Sequence, residues 1–439
     1  MKGIKNVILI TIDALRADHL GCMGYKEDTT PFIDELASNG LFFTQAFANA
    51  PGTPSSFSSL LSSTYPLMYG GYERFSKSRP AIQSFLMEKG IRTAAIHSNP
   101  YLGRYYGYNR GFSYFYDSFG EKKNLGNSVK EKLVEKIGVL LSKNNYLYKI
   151  GRFAYAKLFG NTKPYVDAEE TTKKALNWIS RNKNSRFFLW IHYMDAHEPY
   201  NPPMEFLEHE IASEEIERLN KYLLEDRSDI TDEELNTLIE LYDGEVRYVD
   251  HWIQNLVEEI EEYGILDETA IIITADHGEE FLDHGELGHH PKLYDELLHV
   301  PLIIYSSQIE NKVINTPVEL LDLAPTIAGL YGLENKNFLG DNLLKKKRNK
   351  PIISEVSNPH GILKVDKRFK KVSCRKDEWK LIFKESEGKI ELYNLMKDPK
   401  EKNNLAQEET EKLKDLFKEV VIHEKRKEIL NLKNVKTYV

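Results

Sequence analysis

Two cysteines in 439 residues, Cys22 and Cys374, lie too far apart in the chain to suggest a disulfide framework and fit a reducing compartment. No apolar run approaches the roughly 20 residues that a membrane span needs, and the N-terminal residues enter a strand without a signal-peptide core. The expected location is therefore cytoplasmic, with no transmembrane segment. An excess of positive charge is also missing: the formal net charge is -8, so nucleic acid is not an expected partner. Internal repeats and low-complexity tracts are absent as well, which sets aside solenoid and linker-like architectures. What remains is a chain with 41% hydrophobic and 29% charged residues, long enough for one large domain and a small one.

The chain is organised around Ile273 to Glu280. A β-branched run from Ile271 to Thr274 reads as a buried parallel strand ending in Asp276, His277 and Gly278. In open α/β sheets ligands bind beyond the carboxyl ends of the strands, so these side chains point to a crevice. Asn6 to Ile12 repeats the construction, with Asp13 at its end; if the two strands are parallel neighbours, two carboxylates come within reach of one cation. Two further strands end in polar residues: Ile91 to Ile96 before His97-Ser98-Asn99, and Arg186 to Ile191 before the stretch His192 to Tyr200. Asp276 alone also reads as a helix cap, and His277 alone as a surface histidine.

Asp28 to Gly40 reads as a turn and an amphipathic helix. Ala48 to Ser63 reads as a loop running into a helix, with Thr53 as its N-cap and Pro54 at the first helical position. Thr53 is either only that cap, or a hydroxyl placed at an anion-binding helix terminus and activated by a neighbouring metal. Gly120 to Pro164 is lysine-rich and helical in pattern, either a lid-like insertion or a solvated hairpin. Helices are expected over Val166 to Arg181 and through Glu205 to Gly264. The last of these carries Ile239, Tyr242, Val246, Val249, Ile253, Val257 and Ile260 as its core face. Glu279 to Tyr294 is a loop holding His284, His289 and His290, followed by a strand from Val300 to Tyr305 and a helix from Glu319 to Tyr331. Past Lys345 to Arg348, read as a solvated linker, short antiparallel strands are expected at Lys371–Arg375, Trp379–Phe383 and Glu391–Leu395. A terminal helix covers roughly Glu408 to Leu430.

Taken together, these stretches resemble the sulfatase branch of the alkaline phosphatase superfamily. The resemblance is carried by Val7 to Tyr25, Thr53 to Ser63, Met194 to Tyr200, Thr274 to Glu279, and Leu293 to Glu296 ahead of Val300-Pro301-Leu302. Asp377 to Leu381 and Glu391 to Pro399 resemble the family's C-terminal subdomain. It implies an α/β fold with a large mixed, mostly parallel sheet flanked by helices, covering residues 1–345, and a small C-terminal α+β subdomain at 346–439. It also implies that Asp13, Thr53, Asp276 and His277 bind a catalytic metal, with Thr53 at the nucleophile position. His197, Asn99 and one of His289 and His290 would hold the substrate's oxyanion or leaving group. Registering Ser59 to Ser63 on the family's Ser-Leu-Leu-Thr-Gly places Thr53 there; a register anchored on Pro54 would place Gly52 instead.

The departures narrow the expectation. Formylglycine-forming members carry Cys-x-Pro-x-Arg where this chain has Thr53 and no following arginine, so any attack proceeds from a plain hydroxyl. Asp13-Ala14 replaces the usual paired aspartates, and Asp276-His277 replaces Asp-Asn. An imidazole in place of an oxygen ligand favours Mn²⁺ or Zn²⁺ over Ca²⁺; a second metal ion is left open. This set is similar to phosphonate and phosphodiester hydrolases and to phosphoglycerol transferases. The expected activity is thus metal-dependent hydrolysis of a small phosphoric or sulfuric ester, with phosphodiesters and phosphonate monoesters first. The alternatives are a sulfatase working without formylglycine, a phosphoglycerol-type transferase, and an inactive binding protein. Homo-oligomerisation is left open.

Overall fold

The computed structural model describes residues 3–117, 163, 165–225, 227–345, 350–358 and 365–435. The expected insertion at about 120–165 lies outside them, apart from Lys163 and Tyr165, as does the basic run beyond Lys345. The chain builds strands β1 (Asn6–Ile12), β2 (Leu41–Phe47), β3 (Arg92–Ile96), β4 (Tyr114–Tyr116), β5 (Phe187–Tyr193) and β6 (Thr269–Ala275). A short hairpin of β7 (Glu280–Phe281) and β8 (Leu287–Gly288) precedes β9 (His299–Tyr305), β10 (Lys312–Ile314) and β11 (Val318–Glu319). The principal sheet runs β10-β2-β9-β6-β1-β5-β3-β4, with β11 also on β2; every pairing is parallel except the two made by β9. This is the large, mixed, mostly parallel sheet that the resemblance implies.

β1, β5 and β6 are buried along their whole length, as continuous β-branched and aromatic runs demand in a sheet covered on both faces. The nine helices of the described residues begin with α1 (Pro31–Ser38), α2 (Thr53–Leu60), α3 (Ile82–Glu88) and α4 (Ala168–Asn182). There follow α5 (Ser213–Leu224), α6 (Asp232–Glu262), α7 (Asp295–Leu298), α8 (Leu323–Leu330) and α9 (Thr410–Val435). Alternation along β5 separates the two layers. Phe187 and Tyr193 meet Trp178 and Thr172 of α4 on one face, while Trp190 and His192 meet Phe57 of α2 on the other. α6 opens with a capping box in which Thr231 and Glu234 satisfy each other's backbone N–H groups, and its expected apolar face is buried except for the partly exposed Ile239.

The second sheet is an antiparallel meander of β12 (Ile352–Ser357), β13 (Lys370–Lys376), β14 (Trp379–Lys384) and β15 (Lys389–Asn394), with α9 packed on β13 and β14. Ile353, Val372, Cys374, Leu381, Leu392, Leu416 and Val420 give it a core of its own. Seven strands were not expected from sequence: β2, β4, β7, β8, β10, β11 and β12. β2 follows directly on Gly40, where the apolar run Leu41-Phe42-Phe43 carried the signal.

Candidate active site

The register Ile12↔Ala275 sets the ends of β1 and β6 side by side, so Asp13 and Asp276 leave the sheet as neighbours. Ala14 turns the chain away in a left-handed conformation (φ 58°), and its N–H donates to Asp276 Oδ1 at 3.4 Å. The Tyr242 hydroxyl brackets this turn, accepting from Arg16 N and donating to the Ala14 carbonyl, both at 2.9 Å. Arg16 then crosses to the loop after β6, donating to the Glu279 carbonyl at 3.0 Å and to Asp283 at 2.7 Å. Gly278 allows that loop to close: a Cβ there would stand 2.0 Å from the Glu296 carbonyl oxygen.

Asp13 and Asp276 are both fully buried. Asp13 Oδ2 accepts from Asn99 Nδ2 at 3.0 Å and from His192 Nε2 at 3.1 Å, whereas Asp13 Oδ1 and Asp276 Oδ2 have no hydrogen-bond partner. Both orphaned oxygens face His277 Nε2, at 3.5 and 3.6 Å. His277 Nδ1 donates to the Gly278 carbonyl at 2.8 Å, which leaves the Nε2 lone pair aimed at the two carboxylates. Thr53 Oγ1 lies 3.2 Å from the same nitrogen. A tetrahedral ion with bonds of ~2.1 Å has ligand atoms ~3.4 Å apart, close to these separations. Buried carboxylates cost several kcal/mol unless compensated, and a shared cation would supply the compensation. The residues therefore fit a divalent ion. Thr53 is not the cap expected from sequence: Gly52 takes the N-cap, extended at φ -166°, Thr53 is the first helical residue, and its hydroxyl turns to His277.

The protonation behaviour of the pair agrees. Burial would raise the Asp13 carboxyl, but the charge of His197 and the His192 hydrogen bond oppose it, and Asp13 lies well below the usual range. Burial, and then repulsion from Asp13, push Asp276 up. One carboxylate is thus charged and the other resists charging, a pair in which a bound cation would displace a proton.

Beside this cluster three imidazoles stand in a row, His289 with ring centroids 4.5 Å from His277 and 5.0 Å from His197. His289 Nδ1 donates to the buried Glu279 Oε1 at 2.9 Å, and Glu279 Oε2 accepts from the Tyr200 hydroxyl at 3.2 Å. Burial opposes the charge on His289, yet Glu279 raises its pKa above the ordinary histidine value. His290 is not brought to this row; its Nε2 donates to the Leu287 carbonyl at 3.1 Å. His197 Nδ1 donates to the Glu198 carbonyl at 2.7 Å. Asn99 is engaged at both ends of its amide, on Asp13 and on Tyr101 N.

Sequence reasoning missed His192, Glu279 and Arg16. His192 was legible as a lone histidine inside a wholly apolar strand, in register with Thr11 of β1. Its Nδ1 meets Thr11 Oγ1 at 3.0 Å, which leaves Nε2–H for Asp13. His192, Asp13 and Asp276 also have ligand atoms within 4.8 Å of one another, as do His197, Glu198 and His289.

Comparison with known proteins shows the family and the fold. A family model described as Sulfatase matches residues 5–333. Among curated proteins, the uncharacterized sulfatase YidJ of Escherichia coli (strain K12) is 24% identical over 91% of this chain and 82% of its own length. An arylsulfatase of Clostridium perfringens is 23% identical over 95% of this chain and 94% of its own. Among solved structures, the phosphonate monoester hydrolase of Agrobacterium radiobacter superposes with a TM-score of 0.72 at 18% identity, covering 95% of this chain and 96% of that one; it shows the fold in common.

Proposed function

The chain belongs to the sulfatase family of ester hydrolases, whose members are metal-dependent, and from that premise we propose that it cleaves phosphodiesters or phosphonate monoesters with Thr53 as nucleophile. The observation that carries the reading is Thr53 Oγ1 at 3.2 Å from His277 Nε2, beside two buried carboxylate oxygens that nothing else satisfies. Asp13, Asp276, His277 and Thr53 would hold one divalent ion, Mn²⁺ or Zn²⁺. Such an ion supplies Lewis acidity, lowering the pKa of the threonine hydroxyl and drawing charge from a nonbridging oxygen.

The chain's own residues do the rest. His192 and Asn99 fix Asp13 through its second oxygen. Deprotonated Thr53 Oγ attacks phosphorus in line, the bond to the leaving oxygen breaks, and His197 gives that oxygen a proton, leaving a phosphothreonine ester. Water then attacks the ester, His197 takes its proton, and Thr53 is regenerated. His289, held from behind by Glu279, donates through Nε2 to a substrate oxygen.

A second reading, sulfuric ester hydrolysis by the same threonine, is favoured by the arylsulfatase relatives. Aryl sulfate, phosphodiester and phosphonate monoester, assayed side by side with Mn²⁺ or Zn²⁺, separate the two. Thr53→Ala is expected to abolish turnover of whichever ester is preferred while metal content stays intact; retained turnover contradicts the nucleophile assignment. No helix among the described residues is long and apolar enough to cross a membrane. A cytoplasmic location, and a division into a catalytic domain at 1–345 and a subdomain at 346–439, belong to the same proposal.

A further inference from the structure

Beyond the row of histidines lies a buried ion cluster that the chemistry above does not use. Lys163 Nζ donates to Asp195 Oδ1 at 2.7 Å and to Glu245 Oε2 at 2.6 Å, and both carboxylates are fully buried. The three residues come from different parts of the fold: Lys163 from the segment ahead of α4, Asp195 from the loop after β5, and Glu245 from the middle of α6. Glu245 Oε1 also accepts from Asn201 N at 2.6 Å. The loop from Met194 to Asn201 is thereby held near both ends, at Asp195 through Lys163 and at Asn201 through Glu245. His197 sits between the two anchors. The Lys163 segment reaches His197 a second time, because the Tyr165 hydroxyl donates to the His197 carbonyl at 2.8 Å. Ala196, in a left-handed conformation at φ 87°, makes this a loop whose shape depends on such restraints.

Two carboxylates and one ammonium in a dry site form an arrangement that removal of the cation would undo, since like charges would then face each other without compensation. Asp195 is only two residues from the imidazole that protonates the leaving group. We propose that Lys163 is a positioning residue for His197, acting through Asp195 and Glu245 to set where the leaving-group proton is delivered. This rests on the reading of His197 as the leaving-group acid. A displacement of ~1 Å at a reacting group can cost ~10²-fold in rate, and the loss falls hardest where proton donation matters most, on poor leaving groups.

The test is a series of methyl aryl phosphodiesters with leaving groups from p-nitrophenol to phenol, run on the metal-loaded wild type, Lys163→Met, Lys163→Arg, Glu245→Gln and His197→Ala. Lys163→Met is expected to slow the phenyl ester by roughly tenfold or more beyond its effect on the p-nitrophenyl ester, with metal content unchanged. Lys163→Arg should recover part of the selective loss. Glu245→Gln, which keeps shape and an acceptor for Asn201, should show the same bias more weakly and decides the matter if Lys163→Met does not fold. Equal slowing across the series, or none, in the Lys163 and Glu245 variants while His197→Ala shows the bias would overturn the positioning role and leave the acid assignment standing. A flat series in all of them, His197→Ala included, overturns both.

Discussion

At the scale of single residues, the site is a contest over two carboxylate oxygens. Asp13 uses one oxygen on Asn99 and His192 and keeps the other for the cluster, and Asp276 does the same with its bond from Ala14 N. On the proposed reading, His277 would set which ion suits the space between them. It offers an imidazole nitrogen where an Asp-Asn pair would offer an amide oxygen, and an imidazole binds Mn²⁺ or Zn²⁺ in preference to Ca²⁺. His277→Asn is therefore expected to weaken Zn²⁺ binding and raise relative affinity for Ca²⁺, read by titration calorimetry on metal-stripped protein. Unchanged preference would place the ion on the His192 side of Asp13. Much of this was readable in the sequence, because Asp13 and Asp276 each end a strand-length apolar run. The choice between His289 and His290 was not: neighbours in a glycine-flanked loop carry no periodic signal, and only their folded surroundings differ, His289 lying beside His277 and on Glu279 while His290 turns to the Leu287 carbonyl.

Secondary-structure elements were legible where burial on both faces writes a continuous apolar run, as in β1, β5 and β6. The reversed direction of β9 was not, since Val300 to Tyr305 reads the same in either orientation and only its pairing with β2 and β6 fixes it. The start of α2 slipped by one residue because glycine caps a helix without a side chain for the sequence to display. Helix α9 illustrates a charge device at this scale. Its Lys427 donates to the buried Glu355 of β12 at 2.5 Å and its His423 at 3.1 Å, while Leu67 N donates to the other Glu355 oxygen. Burial would raise the Glu355 carboxyl, but the Lys427 charge and the His423 hydrogen bond hold it well below the usual range. A carboxyl depressed in the folded state contributes stability that is complete above its unfolded pKa of about 4.3 and is lost as pH falls through the folded value. Lys427→Met should cost about 3–5 kcal/mol at neutral pH, shrinking below about pH 4, measured by urea denaturation across pH. A cost that does not vary with pH would assign Lys427 a packing role only.

On the scale of the whole molecule, the small antiparallel sheet braces the loop that carries Gly278, Glu279 and His289. Lys380 of β14 donates to Asp295 at 2.7 Å and pairs with Glu401 at 2.8 Å, and Arg375 of β13 reaches the same Asp295. Glu401 in turn accepts from Asp295 N at 2.7 Å, and its carbonyl takes His284 Nε2 at 3.1 Å. Lys380→Met is expected to increase hydrogen exchange across residues 279–298 and to lower kcat with little change in metal content. Undiminished protection there would confine the C-terminal unit to its own stability. The second sheet is thus tied to the loop that carries the candidate site residues, a link that the sequence shows only as two separate motifs.

All of this depends on Asp13, Thr53, Asp276 and His277 meeting on one ion. The direct measurement is the anomalous-scattering map of crystals of the Zn²⁺-loaded protein. The expected result is a peak ~2.0–2.2 Å from Asp13 Oδ1, Asp276 Oδ2 and His277 Nε2, with Thr53 Oγ1 as the fourth neighbour. A fully occupied peak elsewhere with none between those four atoms would contradict it.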